Sequence, residues 1–196
     1  MENMNNQEIK DLLSSKENVQ KHLRLIILPE AHITADMVSK KSDYEGIRLV
    51  LAIVGNGWIV KNKIADILQM MNAYDRAWEI AAANTESDAE IRTLVEAMDE
   101  MEPGEEHMDS GIYIMTTKDK YYGAAAISNK KLLREFAEKH HTDKIVMIPS
   151  SVHEVLLLPD ATDYDLDELS NLVQDVNDSN VEPEERLSNH AYYAVF

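Results

Sequence analysis

The stretch that most constrains the fold is IRLVLAIVGNGWIVK, from Ile47 to Lys61. Two apolar runs flank Gly55-Asn56-Gly57, and Asn-Gly supplies the positive φ angles of a tight hairpin turn. The spacing predicts a β-hairpin. Leu49 to Val54 is apolar at successive positions, so this strand is expected inside a sheet that is covered on both faces.

The flanking segments supply the covering helices. Ile64, Ile67, Leu68 and Met71 mark one apolar helical face, and Tyr74, Ala77, Trp78 and Ala81 mark another, with Asn72 placed to cap the second helix. SDAEIRTLVEAMDEM predicts a third helix, opened by a capping box of Ser87 and Glu90 and striped by Ile91, Leu94, Val95 and Met98. Upstream, HLRLIILP reads as a strand that Pro29 ends, because proline cannot donate to a ladder. Ile9, Leu12 and Leu13 hint at a helix before it. His32 to Gly46 is polar, either irregular or one short helix opening at Thr34.

EPGEEHMDSG, at 102–111, breaks all periodicity and marks a boundary between two halves, 1–101 and 111–196, or a break within one continuous domain. The second half reads as strands GIYIMTT and YYGAAAIS, a helix capped by Asn129 with Leu133, Phe136 and Ala137 inward, and strands KIVMI and VHEVLLL. A helix follows, capped by Asp165, with Leu166, Leu169, Leu172, Val173 and Val176 inward; the tail LSNHAYYAVF has strand composition. The order β-β-α-β-β-α, with helices segregated from paired strands, predicts an α+β fold: a hairpin-built, antiparallel or mixed sheet covered by helices.

The chain has 196 residues, of which 44% are apolar and 28% charged, enough to bury a sizeable core. Its apolar runs, such as LRLIIL and VLLL, fall well short of the roughly 18 residues a membrane span needs. The opening MENMNNQEIKDLL is polar and acidic, unlike a signal peptide. There is no cysteine, so disulfides, thiolate catalysis and cysteine-held metal centres are excluded, as suits a reducing compartment. A cytoplasmic protein is expected. The net charge of −17, from 19 basic and 36 acidic residues, opposes nucleic acids and anionic membranes as partners.

The residues with chemical potential concentrate in KIVMIPSSVHEVLLLPD, Lys144 to Asp160. Ser150 and Ser151 stand beside His153, and a serine–histidine dyad could form across the turn, with Glu185 or Asp160 as the acid. In the predicted strand VHEVLLL, His153 and Glu154 face opposite sides of the sheet and cannot pair. No Gly-x-Ser-x-Gly elbow is present, and Pro149-Ser150-Ser151 is ordinary turn chemistry, so the structural reading is favoured.

Asp163, Asp165 and Asp167 mimic the start of a calcium loop. The pattern fails at Glu168, where glycine is needed, and at Gln174, where a bidentate glutamate is needed. Helix capping by Asp165 explains these carboxylates better. His140 and His141 close a helix about 100° apart, a poor metal pair. Lys130 and Lys131 beside Asn129 could hold a phosphate at a helix start, but no glycine-rich cradle accompanies them. No cofactor or metal is expected. The ten methionines, Met70, Met71, Met98 and Met101 among them, read as adaptable core or interface filler. Trp58, Trp78, Tyr121-Tyr122 and Tyr192-Tyr193 are the anchors a partner-binding face would use.

GIYIMTTKDKYYGAAAI, IPSSVHEVLLLPD and NVEPEERLSNHAYY, with a weaker echo in ILQMMNAYDRAWEIAAANT, resemble an uncharacterised bacterial family defined only as a domain of unknown function. Members of that family often carry a further N-terminal segment. The resemblance implies an intracellular protein and no catalytic residues. It also departs from this chain at Ser128-Asn129-Lys130-Lys131, where the family has an apolar or proline-containing turn, which weakens the phosphate reading. The expectation is a non-enzymatic domain that binds a protein or a small ligand; a hydrolase built on Ser150 or Ser151 with His153 is the alternative.

Overall fold

Two antiparallel sheets are built, one in each of two units that divide between Asp88 and Ala89. The computed structural model describes residues 6–55, 57–104, 107–149, 151–159 and 164–196; Asn56, Ser150, Asp160 and Asp163 lie outside the described residues.

In the first unit, helices α1 (Asn6–Leu12) and α2 (Lys16–His22) lead into strand β1 (Leu23–Pro29). Strands β2 (Ser39–Lys41), β3 (Ile47–Gly55) and β4 (Trp58–Val60) follow, then helices α3 (Ile64–Met70) and α4 (Ala77–Asp88). The stretch between β1 and β3 thus holds a short 3-10 helix at Glu30–His32 and β2, rather than a helix from Thr34. β3 is the central strand: β1 pairs along its length, and β2 and β4 pair with it on the opposite side. Val50 to Ile53 are fully buried. The hairpin forms as the sequence predicts, with Gly55 opposite Trp58 and Gly57 at φ 76°. Gly55 has a second reason to be glycine, since a Cβ there would lie 2.1 Å from the Trp58 indole.

α4 lies against β1 through small residues. Ala77, Ala81 and Thr85 are buried, and Thr85 Oγ1 accepts the Leu25 N–H at 2.9 Å while donating to the Ala81 carbonyl at 2.9 Å. Asn84 Nδ2 donates to the Gln20 and Leu23 carbonyls, both at 2.9 Å. These two polar residues satisfy backbone groups at the junction of α2 and β1, which burial would otherwise orphan.

In the second unit, the chain forms β5 (Ala89–Thr93), α5 (Leu94–Met101), β6 (Tyr113–Thr117), a 3-10 helix (Gly123–Ser128) and α6 (Lys130–Lys139). It continues through β7 (Lys144–Ile148), β8 (Val155–Leu158), α7 (Leu166–Asn180) and β9 (Tyr192–Val195). The sheet order is β5-β6-β8-β7-β9, and every pair is antiparallel. The architecture is α+β, as predicted.

Three local expectations are corrected. The predicted helix from Ser87 is split: residues 89–93 pair with β6, and the capping box that forms is the next one, Thr93 with Glu96. Residues 89–101 lie in the second unit. YYGAAAIS is not a strand, so the order after Gly111 is not β-β-α-β-β-α; Gly123–Ser128 is a buried 3-10 helix seated on β6. The stripe of α7 is narrower than expected. Val173 is buried, but Leu172 and Val176 are 59% and 44% exposed, and Asn177 takes the inward position. Its Nδ2 donates to the Ser188 carbonyl at 3.1 Å and to Asn189 Oδ1 at 2.7 Å.

The two faces of this sheet follow from its register. Met115, Val155, Leu157 and Met147 align across β6, β8 and β7 on one face and are fully buried. Val146 and Ile148 face the other side, where they cluster with Val173, Ala191 and the partly buried Leu156, Leu158, Leu166 and Leu169.

Candidate functional site

His153 precedes β8 rather than lying in it, so strand alternation does not place its side chain. The corner is instead held by its backbone. The Val152 N–H donates to the Glu185 carbonyl at 2.8 Å, the Ala124 N–H to the Val152 carbonyl at 3.2 Å, and Thr116 Oγ1 to the His153 carbonyl at 2.8 Å. Ser151 bridges to Arg186, and its Oγ accepts the His153 N–H at 3.0 Å, the short local bond of a serine turn. Ser151 is buried.

The imidazole is hydrogen-bonded at Nδ1 and faces a carboxylate at Nε2. Nδ1 accepts the backbone N–H of Tyr122 at 3.2 Å, so that nitrogen is unprotonated and the neutral ring carries its proton on Nε2. Nε2 faces Glu185 Oε1 at 3.6 Å, beyond a direct hydrogen bond but close enough for attraction. The rings of Tyr121 and Tyr122 stand 5.8 and 5.5 Å from it. Tyr122 reaches this position through a left-handed backbone, φ 53° and ψ 34°. The structure thus brings His153 and Glu185 together, while no hydrogen bond links the ring to Ser151. A nucleophilic serine needs a base aimed at its oxygen, and here Ser151 Oγ holds backbone while the ring holds Tyr122. Beside them, burial pushes the Glu154 carboxyl above the usual glutamate range, opposed by His153 and Arg92.

The other predicted candidates have structural roles. Asp165 accepts the Asp167 and Glu168 N–H groups at 2.8 and 3.3 Å, capping α7. Asn129 accepts the Leu132 N–H at 3.0 Å and caps α6. His140 follows α6 and packs edge-on to Tyr113 at 4.8 Å. Trp58 is buried beneath His22, and Lys40 lies over Trp78 at 4.4 Å. Met70 and Met101, expected as filler, are 66% and 74% exposed.

Sequence reasoning missed a cleft of about 320 Å³ between β5 and α6. Ile91, Tyr113, Leu132 and Phe136 form its apolar part, and Glu96, Glu135 and Lys139 its charged rim. Tyr113 meets Phe136 at 4.9 Å in an edge-to-face contact. The signal was present in α6: Leu132, Glu135, Phe136 and Lys139 recur at i, i+3, i+4 and i+7, a face offset from the core stripe of Leu133, Phe136 and Ala137. Its size lies at the small end of ligand sites, and its lining has no serine or histidine. The Thr93 hydroxyl is engaged with the Glu96 N–H at 3.1 Å.

A two-sheet α+β chain with a braced serine–histidine corner and a lined cleft is the class that the structure defines. The chain belongs to a family of unknown function, DUF5688, whose model matches residues 55–194, from the Asn-Gly turn to the last strand. No curated protein and no solved structure matches it. Among the described residues no helix is long and apolar enough to cross a membrane.

Proposed function

We propose that this protein is a cytoplasmic, non-enzymatic domain that binds a protein segment or a small ligand. The observation that carries this reading is the imidazole of His153, whose Nδ1 is taken by the Tyr122 N–H while Nε2 faces Glu185. A ring so held braces the corner between β7 and β8 and leaves Ser151 without a base. The cleft between β5 and α6, part apolar and aromatic and part charged, supports this reading as a place where a ligand could dock. The net charge of −17 disfavours nucleic acid and anionic membrane surfaces and favours neutral or basic partners.

Labelling with a fluorophosphonate serine probe tests the non-enzymatic reading. No covalent adduct is expected. An adduct that disappears in Ser151→Ala or Ser150→Ala would overturn the reading in favour of a hydrolase.

A further inference from the structure

We propose that the open cavity between α1, α2 and the β3–β4 hairpin binds a small neutral cyclic amide, whose carbonyl accepts the Trp58 indole N–H and whose own N–H donates to the His22 imidazole. The site belongs to the first unit and goes beyond the reading drawn from the second.

The cavity measures about 300 Å³, with Leu12 and Asn18 on its helical walls and Gly55 and Trp58 on its hairpin wall. Asn18 ties the helical walls together, because its Nδ2 donates to the Asp11 carbonyl and to Ser14 Oγ, both at 2.9 Å. Trp58 is only 6% exposed, and a buried indole N–H normally finds an acceptor. This one has none among the described residues. Gly55 keeps the nitrogen uncovered, since a Cβ there would lie 2.6 Å from Nε1.

The acceptor comes from His22. Its Nδ1 lies 2.8 Å from the Asn18 carbonyl, which can only accept, so this nitrogen carries the proton. Nε2 of the neutral ring is therefore bare, and it too has no partner among the described residues. The imidazole and indole centroids are 5.9 Å apart, so a single small ring can touch both.

This pair selects the chemistry of the ligand. A donor and an acceptor, both unmet and side by side, call for a molecule that offers an acceptor and a donor side by side. The amide edge of a lactam or a pyrimidine ring does so. An ammonium ion brings donors alone and leaves the indole unmet, whereas a carboxylate brings acceptors alone and leaves Nε2 unmet. Glu8 and Asp11 outnumber Lys21 on the cavity wall, and with the net charge of −17 they oppose an anion further. The volume, at the small end of ligand sites, suits one ring.

The test is titration of the full chain with uracil and with pyridone, followed through the indole N–H resonances of nitrogen-15-labelled protein. Trp78→Phe identifies which of the two resonances is Trp58. A saturable shift at Trp58 is expected with either ring, while Trp78 stays unmoved. Dimethyluracil and N-methylpyridone keep the ring and the carbonyl but lack the N–H, and should bind about tenfold more weakly. His22→Phe, which keeps an aromatic ring beside Trp58, should weaken the parent rings by a similar factor. The methylated controls use the unaltered chain, so they read the site even if His22→Phe is unstable. No shift at Trp58 with either ring would overturn the proposal, and so would equal affinity for methylated and parent rings. Serine labelling is unaffected by either result, so failure here is distinct from failure of the broader binding reading.

Discussion

Gly123 and His153 meet backbone to backbone: a Cβ on Gly123 would stand 2.8 Å from the His153 carbonyl oxygen. It would also stand 2.7 Å from the Thr117 nitrogen and 2.2 Å from Thr116 Oγ1, the hydroxyl that donates to the same carbonyl. Two of these three neighbours are backbone and cannot swing away. Gly123→Ala is expected to cost about 1–3 kcal/mol through overpacking, read as a lower urea midpoint. An unchanged midpoint would mean that the 3-10 helix sits more loosely on β6.

Neighbouring leucines in β8 should respond unequally. Leu157 is fully buried, whereas Leu156 is only partly covered on the other face. Leu157→Ala should lose about 2–5 kcal/mol as a core truncation, and Leu156→Ala distinctly less. Equal losses in parallel denaturation curves would contradict the register of β8.

The capping box at Thr93 gives a comparison within one segment. Thr93→Ala removes the acceptor for the Glu96 N–H and should cost about 1 kcal/mol. Ser87→Ala, at the start of the superficially similar Ser-Asp-Ala-Glu, should change stability by less than about 0.5 kcal/mol. Thermal melts that reverse this order would restore the helix start to Ser87.

Glu154 should make stability depend on pH in a defined direction. Burial raises its carboxyl pKa above the ordinary 4.5, against the pull of His153 and Arg92 and with the help of Glu185. The folded chain therefore keeps this proton to higher pH than the unfolded chain does. Stability is lost as pH rises from the ordinary glutamate value through the folded one, and the penalty is absent below that window. Glu154→Gln should raise the melting temperature at about pH 7, with the gain shrinking toward about pH 4. A gain of equal size at both pH values would show that charge is not its source.

What was legible in the sequence was mostly local. The Asn-Gly hairpin, the central β3 and the caps at Asn129 and Asp165 each rest on residues within a few positions of one another. The misreadings share a different cause. Ser87–Glu90 and Thr93–Glu96 are equally good capping boxes on paper, and pairing with β6 decides between them by making residues 89–93 a strand. Tyr121 to Ser128 has strand composition, yet Gly123 is needed for a close approach to Thr116, Thr117 and the distant His153, and Ala124 to Ala126 are small because they are wholly buried there. The corner at His153 was found as a motif, but the partners of its ring, Tyr122 and Glu185, lie on segments about thirty residues to either side. No spacing rule carries that information. The cleft escapes sequence reasoning because its strand wall, residues 89–93, has helical periodicity, and its α6 wall lies beside the predicted core stripe of Leu133, Phe136 and Ala137.

The strand order of the two sheets also sets when each can be completed during synthesis. The first sheet draws all its strands from residues 23–60, so its pairings are available early. In the second, β7 emerges well before β9, its outer neighbour, with β8 and α7 made in between. Until Tyr192–Val195 arrives, Lys144–Ile148 presents an unprotected edge whose residues from Ile145 to Ile148 are buried in the finished fold. A nascent chain stalled in that interval carries a short, apolar, β-prone segment with an open ladder, the form in which strands of different chains join each other. The last strand is in that sense a guard against self-association as much as a part of the sheet.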